Sequence, residues 1–210
     1  SQATSWLKLG MNSTFSYSIQ NTTVAGSAGA SPMYNSIAFP TGVPVYLVDS
    51  NGDYILNTNG NKQYNFTNPV SIDFNPVAIP YMDVHRSKMY RFMASAFAEV
   101  KFFDGLTFKT VFSPDMVYCQ EHRYWNKEHG NGPAYKGRLD KYSTTDLMFT
   151  STNTFNYSKT FYDLHHINVM AGMEYWKSNY EYLYAAGKDI LGDMQELAAC
   201  SGYMSPTSET

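Results

Sequence analysis

Charge is scarce in this sequence. Lys, Arg, Asp and Glu make up 16% of its 210 residues, and the formal net charge is -3. Nucleic-acid binding calls for a basic face, which so weakly charged a chain does not offer. Cysteine is scarcer still: Cys119 and Cys200 are too few for a disulfide scaffold, and the sequence is compatible with a pair or with two free thiols. No apolar run approaches the roughly 18 residues of a membrane-spanning helix, and mean hydropathy is -0.37. That leaves open a membrane crossed by strands, each of which needs only about 9–11 residues. The opening "SQATSWLKLG" has neither the basic start nor the apolar stretch of a signal peptide.

Aromatic residues are abundant instead, with 18 Tyr and 13 Phe, and they favour strands. Five segments alternate with period 2, which means one face of each meets an apolar medium and the other something wet. In "WLKLGMNSTFSYS" Leu7, Leu9, Met11, Phe15 and Tyr17 share a face. In "MYRFMASAFAEVKF" the apolar face runs Tyr90, Phe92, Ala94, Ala96, Ala98, Val100, Phe102, and in "LTFKTVFSPDMVY" it runs Leu106, Phe108, Phe112, Met116, Tyr118. "DLMFTSTNTFNYS" aligns Leu147, Phe149, Phe155 and Tyr157, and "HINVMAGMEYW" aligns Ile167, Val169, Ala171, Met173 and Tyr175.

The join between the second and third segments can be tested for register. For Phe102 and Leu106 to share the apolar face, the loop must be the trio Phe103-Asp104-Gly105, with Gly105 in the left-handed region. The same register sets Val100 opposite Phe108, Ala98 opposite Thr110, and Glu99 opposite Lys109, an oppositely charged pair on the polar side. Elsewhere the connections are uneven. About three and about five residues join segments two to three and four to five, whereas roughly seventy and about twenty-five separate the others. All the long connections fall on one side, as in outer-membrane barrels, and Tyr90, Phe92, Phe102, Phe108, Tyr118, Phe155, Tyr157 and Tyr175 lie toward strand ends, where aromatic girdles sit. A soluble antiparallel β protein with one solvated face shares the alternation, so pattern alone keeps both readings open.

Four stretches carry a family resemblance. "WLKLGMNSTFSYS", "VPVYLVDSNGDYI" followed by "FNPVAIPYMD", "YRFMASAFAEVKFFDGLTFKT" and "NTFNYSKTFYDLHHINVMAGMEY" resemble, in order, segments of SusC/RagA-type TonB-dependent outer-membrane transporters, from about Trp6 to about Leu197. The resemblance implies an all-β fold of antiparallel up-and-down strands that form part of a transmembrane β-barrel with long extracellular loops. Such proteins have a barrel of about 22 strands around a plug, so residues 1–210 are expected to be a partial barrel of about five strands, lacking the plug and the signal peptide. It further implies a non-enzymatic importer of oligosaccharides or peptides in the outer membrane of a Gram-negative, Bacteroidetes-like cell. Its partners would be a SusD-like lipoprotein, TonB acting through the plug, and outer-membrane lipid. The alternative is a soluble secreted β-rich glycan-binding module.

Among sites, "QEHRYWNKEHGNGPAYKGR" is the densest polar-aromatic stretch. It reads as a solvated surface loop; its functional reading is ligand contact, with Tyr124 and Trp125 as stacking platforms for sugar rings or apolar groups and His122 beside them. Glu121, His122, Glu128 and His129 match no zinc spacing, no nucleophilic triad is supported by spacing, and no cofactor is expected. "DSNGDY" starts like a calcium loop but has Tyr54 and Gly60 where Gly and Glu are needed, so it reads as a hairpin turn. His165-His166 opens the fifth strand with side chains on opposite faces. "DILGDMQELAAC" spaces Ile190, Met194, Leu197 and Ala198 for a short amphipathic loop helix capped by Asp189.

Overall fold

The computed structural model describes residues 4–23, 31–69 and 74–209. Its frame is one six-stranded antiparallel sheet in which every strand pairs with the next in sequence. The strands are β1 (Leu7–Thr22), β2 (Val84–Phe103), β3 (Leu106–Trp125), β4 (Arg138–Phe161), β5 (His165–Ile190) and β6 (Cys200–Glu209). The five expected strands are present, but all extend well past their apolar segments, and β6 was not expected. Past the apolar bands the strict apolar–polar alternation stops, so the extension is not legible from that pattern.

The expected register of the β2–β3 hairpin holds: Val100 faces Phe108, Ala98 faces Thr110 and Glu99 faces Lys109. Its tip differs. The ladder slips between Lys101 and Phe103 and closes with Phe103 opposite Leu106, so Phe102 sits in the slip and the turn is Asp104-Gly105. Gly105 has φ +99, and a Cβ there would lie 2.6 Å from the Ser158 carbonyl oxygen, so the turn has room only for glycine. The β4–β5 turn adopts positive φ at Tyr162 and Asp163, the mirror-image geometry that matches the twist of a hairpin.

Continuous register sorts side chains into two faces. On the apolar face the bands run from Leu7 to Tyr17, Tyr90 to Val100, Leu106 to Tyr118, Leu147 to Tyr157 and Ile167 to Tyr175. Each band is about ten residues, the length that a tilted strand needs to cross a bilayer. The upper boundary is a row of tilted, neighbouring tyrosines, with Tyr17–Tyr90 centroids at 4.8 Å and Tyr90–Tyr118 at 6.1 Å. It steps down to Leu147 and Tyr175 on β4 and β5, as tilted strands crossing a slab require. Phe108–Phe155, 4.6 Å apart, mark the lower edge. Met11, Phe15 and Met173 are 68%, 67% and 66% exposed, so no described element covers this band.

The expected helix from Asp189 is absent. Asp189 and Ile190 end β5, donating to the carbonyls of Gly137 and Lys136, and only a 3-10 turn forms at Leu197–Ala199. Those pairings and burial of Ile190 outweigh the local helical pattern, and Gly192 at φ +61 breaks it. The α-helices lie instead in the β1–β2 connection: α1 (Pro32–Ala38), capped by Ser31, and α2 (Ala78–Met82). Between them two turns repeat one design. Asp49 Oδ1 accepts from the amides of Asn51 and Asp53, and Asn57 Oδ1 from those of Asn59 and Asn61. The "DSNGDY" turn is therefore a hairpin turn, as expected, with Val48 bridged to Tyr54.

Candidate functional site

The polar face carries the site. Level with the top of the apolar band, Arg91 holds Asp115 with two bonds, 3.0 Å from Nε and 2.6 Å from Nη2, across the β2–β3 ladder. Higher up, where the strands outrun the apolar band, register gathers aromatic and charged groups from four strands. Glu121 of β3 lies opposite Tyr142 of β4, which lies opposite Tyr184 of β5; Arg123 is opposite Asp140, and Trp125 opposite Arg138. The Tyr142 ring stacks at 4.7 Å on Tyr184 and lies 6.1 Å from Tyr182. The Arg123 guanidinium sits 4.6 Å over Tyr142 while bonding Glu121.

Arg138 is the second anchor. It grips Asp140 through two bonds of 2.8 and 2.7 Å, donates to the Tyr184 hydroxyl at 3.2 Å, and lies 5.0 Å from the Trp125 ring. His85 meets Trp125 edge-on at 4.9 Å. The result is a rigid wall of aromatic rings separated by charges neutralised within the lattice. Such a surface stacks on planar or ring-shaped groups and offers phenol and guanidinium donors to polar ones.

A knot of buried amides fastens the long loops to the end of this wall. Asn75 is its hub: Nδ2 donates to the carbonyls of Val45 (2.8 Å) and Asn65 (3.0 Å), and Oδ1 accepts from the amides of Val77 and Ala78. Its own amide donates to His129 Nε2 at 2.9 Å, so the imidazole proton resides on Nδ1. Phe66 stacks on His129 at 4.3 Å, and burial lowers the pKa of that histidine. Asn126 donates twice to Asp83 Oδ1, at 2.9 and 2.6 Å; burial raises this carboxyl more than those two bonds lower it.

The residues singled out in the sequence are not brought together. Trp125 joins the polar-face wall. Tyr124 points the other way and is 6% exposed, packed with Leu139, Ile190, Ala199 and Cys200. It is therefore not an open stacking platform, and adjacent strand residues never were able to form one surface. His122 shares Tyr124's face and lies 3.3 Å from Gln195. Glu121 pairs with Arg123, Glu128 lies on the loop and His129 is buried in the amide knot, so these four do not converge as ligands. Cys119 and Cys200 are both free: Cys119 contacts Ser87 on the polar face, while Cys200 lies over Gly187 on the other. Arg123, Arg138, Tyr142, Tyr182 and Tyr184 were missed. Their signal was the period-2 spacing of Tyr180, Tyr182 and Tyr184 and of Glu121, Arg123 and Trp125, legible only once these segments are known to be strands.

No protein-family model matches the chain. It is 25% identical over 168 residues to TonB-dependent receptor P3 of Formosa agariphila, a match covering 79% of this chain and 15% of that protein. Among solved structures, the RagAB peptide transporter superposes on all of this chain and 23% of its own, with TM-score 0.74 at 16% identity. The RagAB peptide importer in its closed-closed state gives TM-score 0.70 at 18% identity. The chain thus spans less than a quarter of the proteins it matches. It resembles SusC/RagA-type TonB-dependent transporters and has the fold of a segment of such a barrel's wall.

Proposed function

We propose that this chain is part of the wall of an outer-membrane TonB-dependent importer of peptides or oligosaccharides. The observation that carries the reading is the two-faced sheet: an uncovered apolar band about ten residues tall backed by a face of paired charges and aromatic rings. Strands of a transmembrane barrel alternate in this way, lipid outside and water or plug inside. In this reading the Arg123–Tyr142–Tyr184–Arg138 wall lines the upper lumen and contacts cargo as it enters. A SusD-like lipoprotein would close over the loops that the Asn75 knot fastens, and TonB would act through a plug on the proton-motive force. The rival glycan-binding module needs an element laid over the apolar face, and the described residues provide none.

The test is uptake by cells carrying the full-length protein that contains this chain. Fluorescent peptides and oligosaccharides are offered with and without a protonophore. Entry of one class, abolished by collapse of the proton gradient, is expected. Gradient-independent entry, or recovery of the protein in a soluble fraction, overturns the reading.

A further inference from the structure

The lipid-side face does not become featureless above the tyrosine row. Two residues beyond Tyr90 on the same face stands Lys88, and two further on stands Arg86; their row partners are Gln120 and His122 on β3, then Ser143 and Lys141 on β4. With a strand rise of about 3.4 Å and a tilt near 40°, Lys88 and Arg86 lie roughly 5 and 10 Å above the tyrosines. The β5–β6 loop folds over this patch, held by Lys141 on Glu196 and by His122 beside Gln195. The half-open groove has a volume of about 640 Å³, and its lining includes Arg86, Lys88 and Lys141 together with apolar Val84, Leu183 and Leu197.

Charge in the groove is unbalanced. Glu196 is committed to Lys141, and the Glu121 carboxylate is paired with Arg123 on the opposite face. Arg86 bonds only the neutral Asn21, through Nε at 3.1 Å, and among the described residues neither it nor Lys88 has a carboxylate partner. Two uncompensated cations therefore stand over an apolar floor, directly above a band built for acyl chains. We infer that this groove binds the phosphorylated headgroup of an outer-leaflet lipid, whose chains run down past Tyr90, Phe92 and Met116. A guanidinium suits phosphate because its planar fork offers paired donors, and a lysine can flex its stem to meet a second oxygen. A soluble anion would gain nothing from the apolar floor, whereas a lipid uses both.

The inference rests on the outer-membrane reading and goes beyond it. The full-length protein is extracted from outer membranes in mild detergent and its retained lipid is measured by native mass spectrometry and by total phosphorus. Arg86→Gln with Lys88→Gln is expected to lower retained phosphorylated lipid about thirtyfold. Lys109→Gln, on the opposite face and without a carboxylate partner among the described residues, leaves it unchanged, and Arg86→Lys with Lys88→Arg preserves it. Equal retention by the neutralised variant, loss in the charge-preserving one, or retention of inorganic phosphate without lipid overturns the inference while leaving the transporter reading intact. Recovery of the protein outside the membrane overturns both.

Discussion

Ala96→Arg is the sharpest test of which medium the apolar face meets. Ala96 sits in the middle of its band, opposite Met11 on β1 and Phe112 on β3, with Ala94 and Ala98 before and after it on the same face. It lies six residues below Tyr90, roughly 15 Å along the membrane normal at a tilt near 40°. That depth is close to the middle of a hydrocarbon slab about 30 Å thick. An arginine at the midplane of a barrel costs ~2–4 kcal/mol, which lowers the ratio of assembled to unassembled protein by about thirty- to nine-hundredfold. Ser95 is the internal control. It is the preceding residue, points to the polar face, and accepts a hydrogen bond from the Ser113 hydroxyl at 3.1 Å. Ser95→Arg therefore places the same charge at the same depth on the wet side. The assay is urea unfolding of the full-length barrel in lipid, followed by its mobility in unheated gels. A fall in midpoint for Ala96→Arg with little change for Ser95→Arg is expected. Equal shifts, or a neutral Ala96→Arg, refute the assignment of faces.

Three further outcomes test the loops and turns. Asn75→Ala orphans two carbonyls and two amides, and at about 1 kcal/mol for each bond lost it should withdraw ~4 kcal/mol from the loop knot; proteolysis between Val45 and Asp83 should accelerate, and unchanged cutting would count against the hub. Gly105→Ala forces a Cβ onto the Ser158 carbonyl at φ +99 and should cost ~1–3 kcal/mol, read as a lower unfolding midpoint. His129 has its pKa lowered by burial, so the unfolded loop binds the proton more readily. The stability it contributes is intact above the unfolded value near 6.5 and is lost as pH falls through that window. Hydrogen exchange at the Asn75 amide, corrected for intrinsic rates, should quicken between pH 7.5 and 5.5; pH-independent protection would refute the role of Nε2 as acceptor.

How legible all this was depended on what each residue faces. The apolar bands of β1 to β5 were readable because an apolar medium on one side and a polar one on the other imprint a period of two, and the Glu99–Lys109 pair supported one register. Above the apolar bands that imprint fades. Lys177, Asn179 and Glu181 on β5 follow Tyr175 on the same face, and from sequence they resemble the start of a loop although the strand continues to Ile190. The misread helix at Asp189 has the same origin, since Ile190 and Leu197 were spaced for a helix, but Ile190 is buried at the end of β5 and Leu197 packs half-buried against the same cluster. Stretch 120–138 was singled out for its composition, and it does supply Arg123, Trp125 and Arg138 to the wall. Their partners on β5 lie about fifty residues away, and only ladder register joins them. Tyr124 was misjudged because the segment was read as a loop, where neighbours can share a surface, and it is a strand, where they cannot.

The paired turns at Asp49 and Asn57 carry a chemical consequence. Each contains an Asn-Gly step, Asn51-Gly52 and Asn59-Gly60, the sequence in which asparagine deamidates most readily because the following backbone nitrogen attacks the side-chain carbonyl. In both turns that nitrogen is engaged: Gly52 donates to the Asp49 carbonyl at 3.1 Å and Gly60 to the Asn57 carbonyl at 3.0 Å, with φ at +88 and +79. Cyclisation must first open the turn. The same hydrogen bonds that shape these two hairpins therefore slow their chemical ageing.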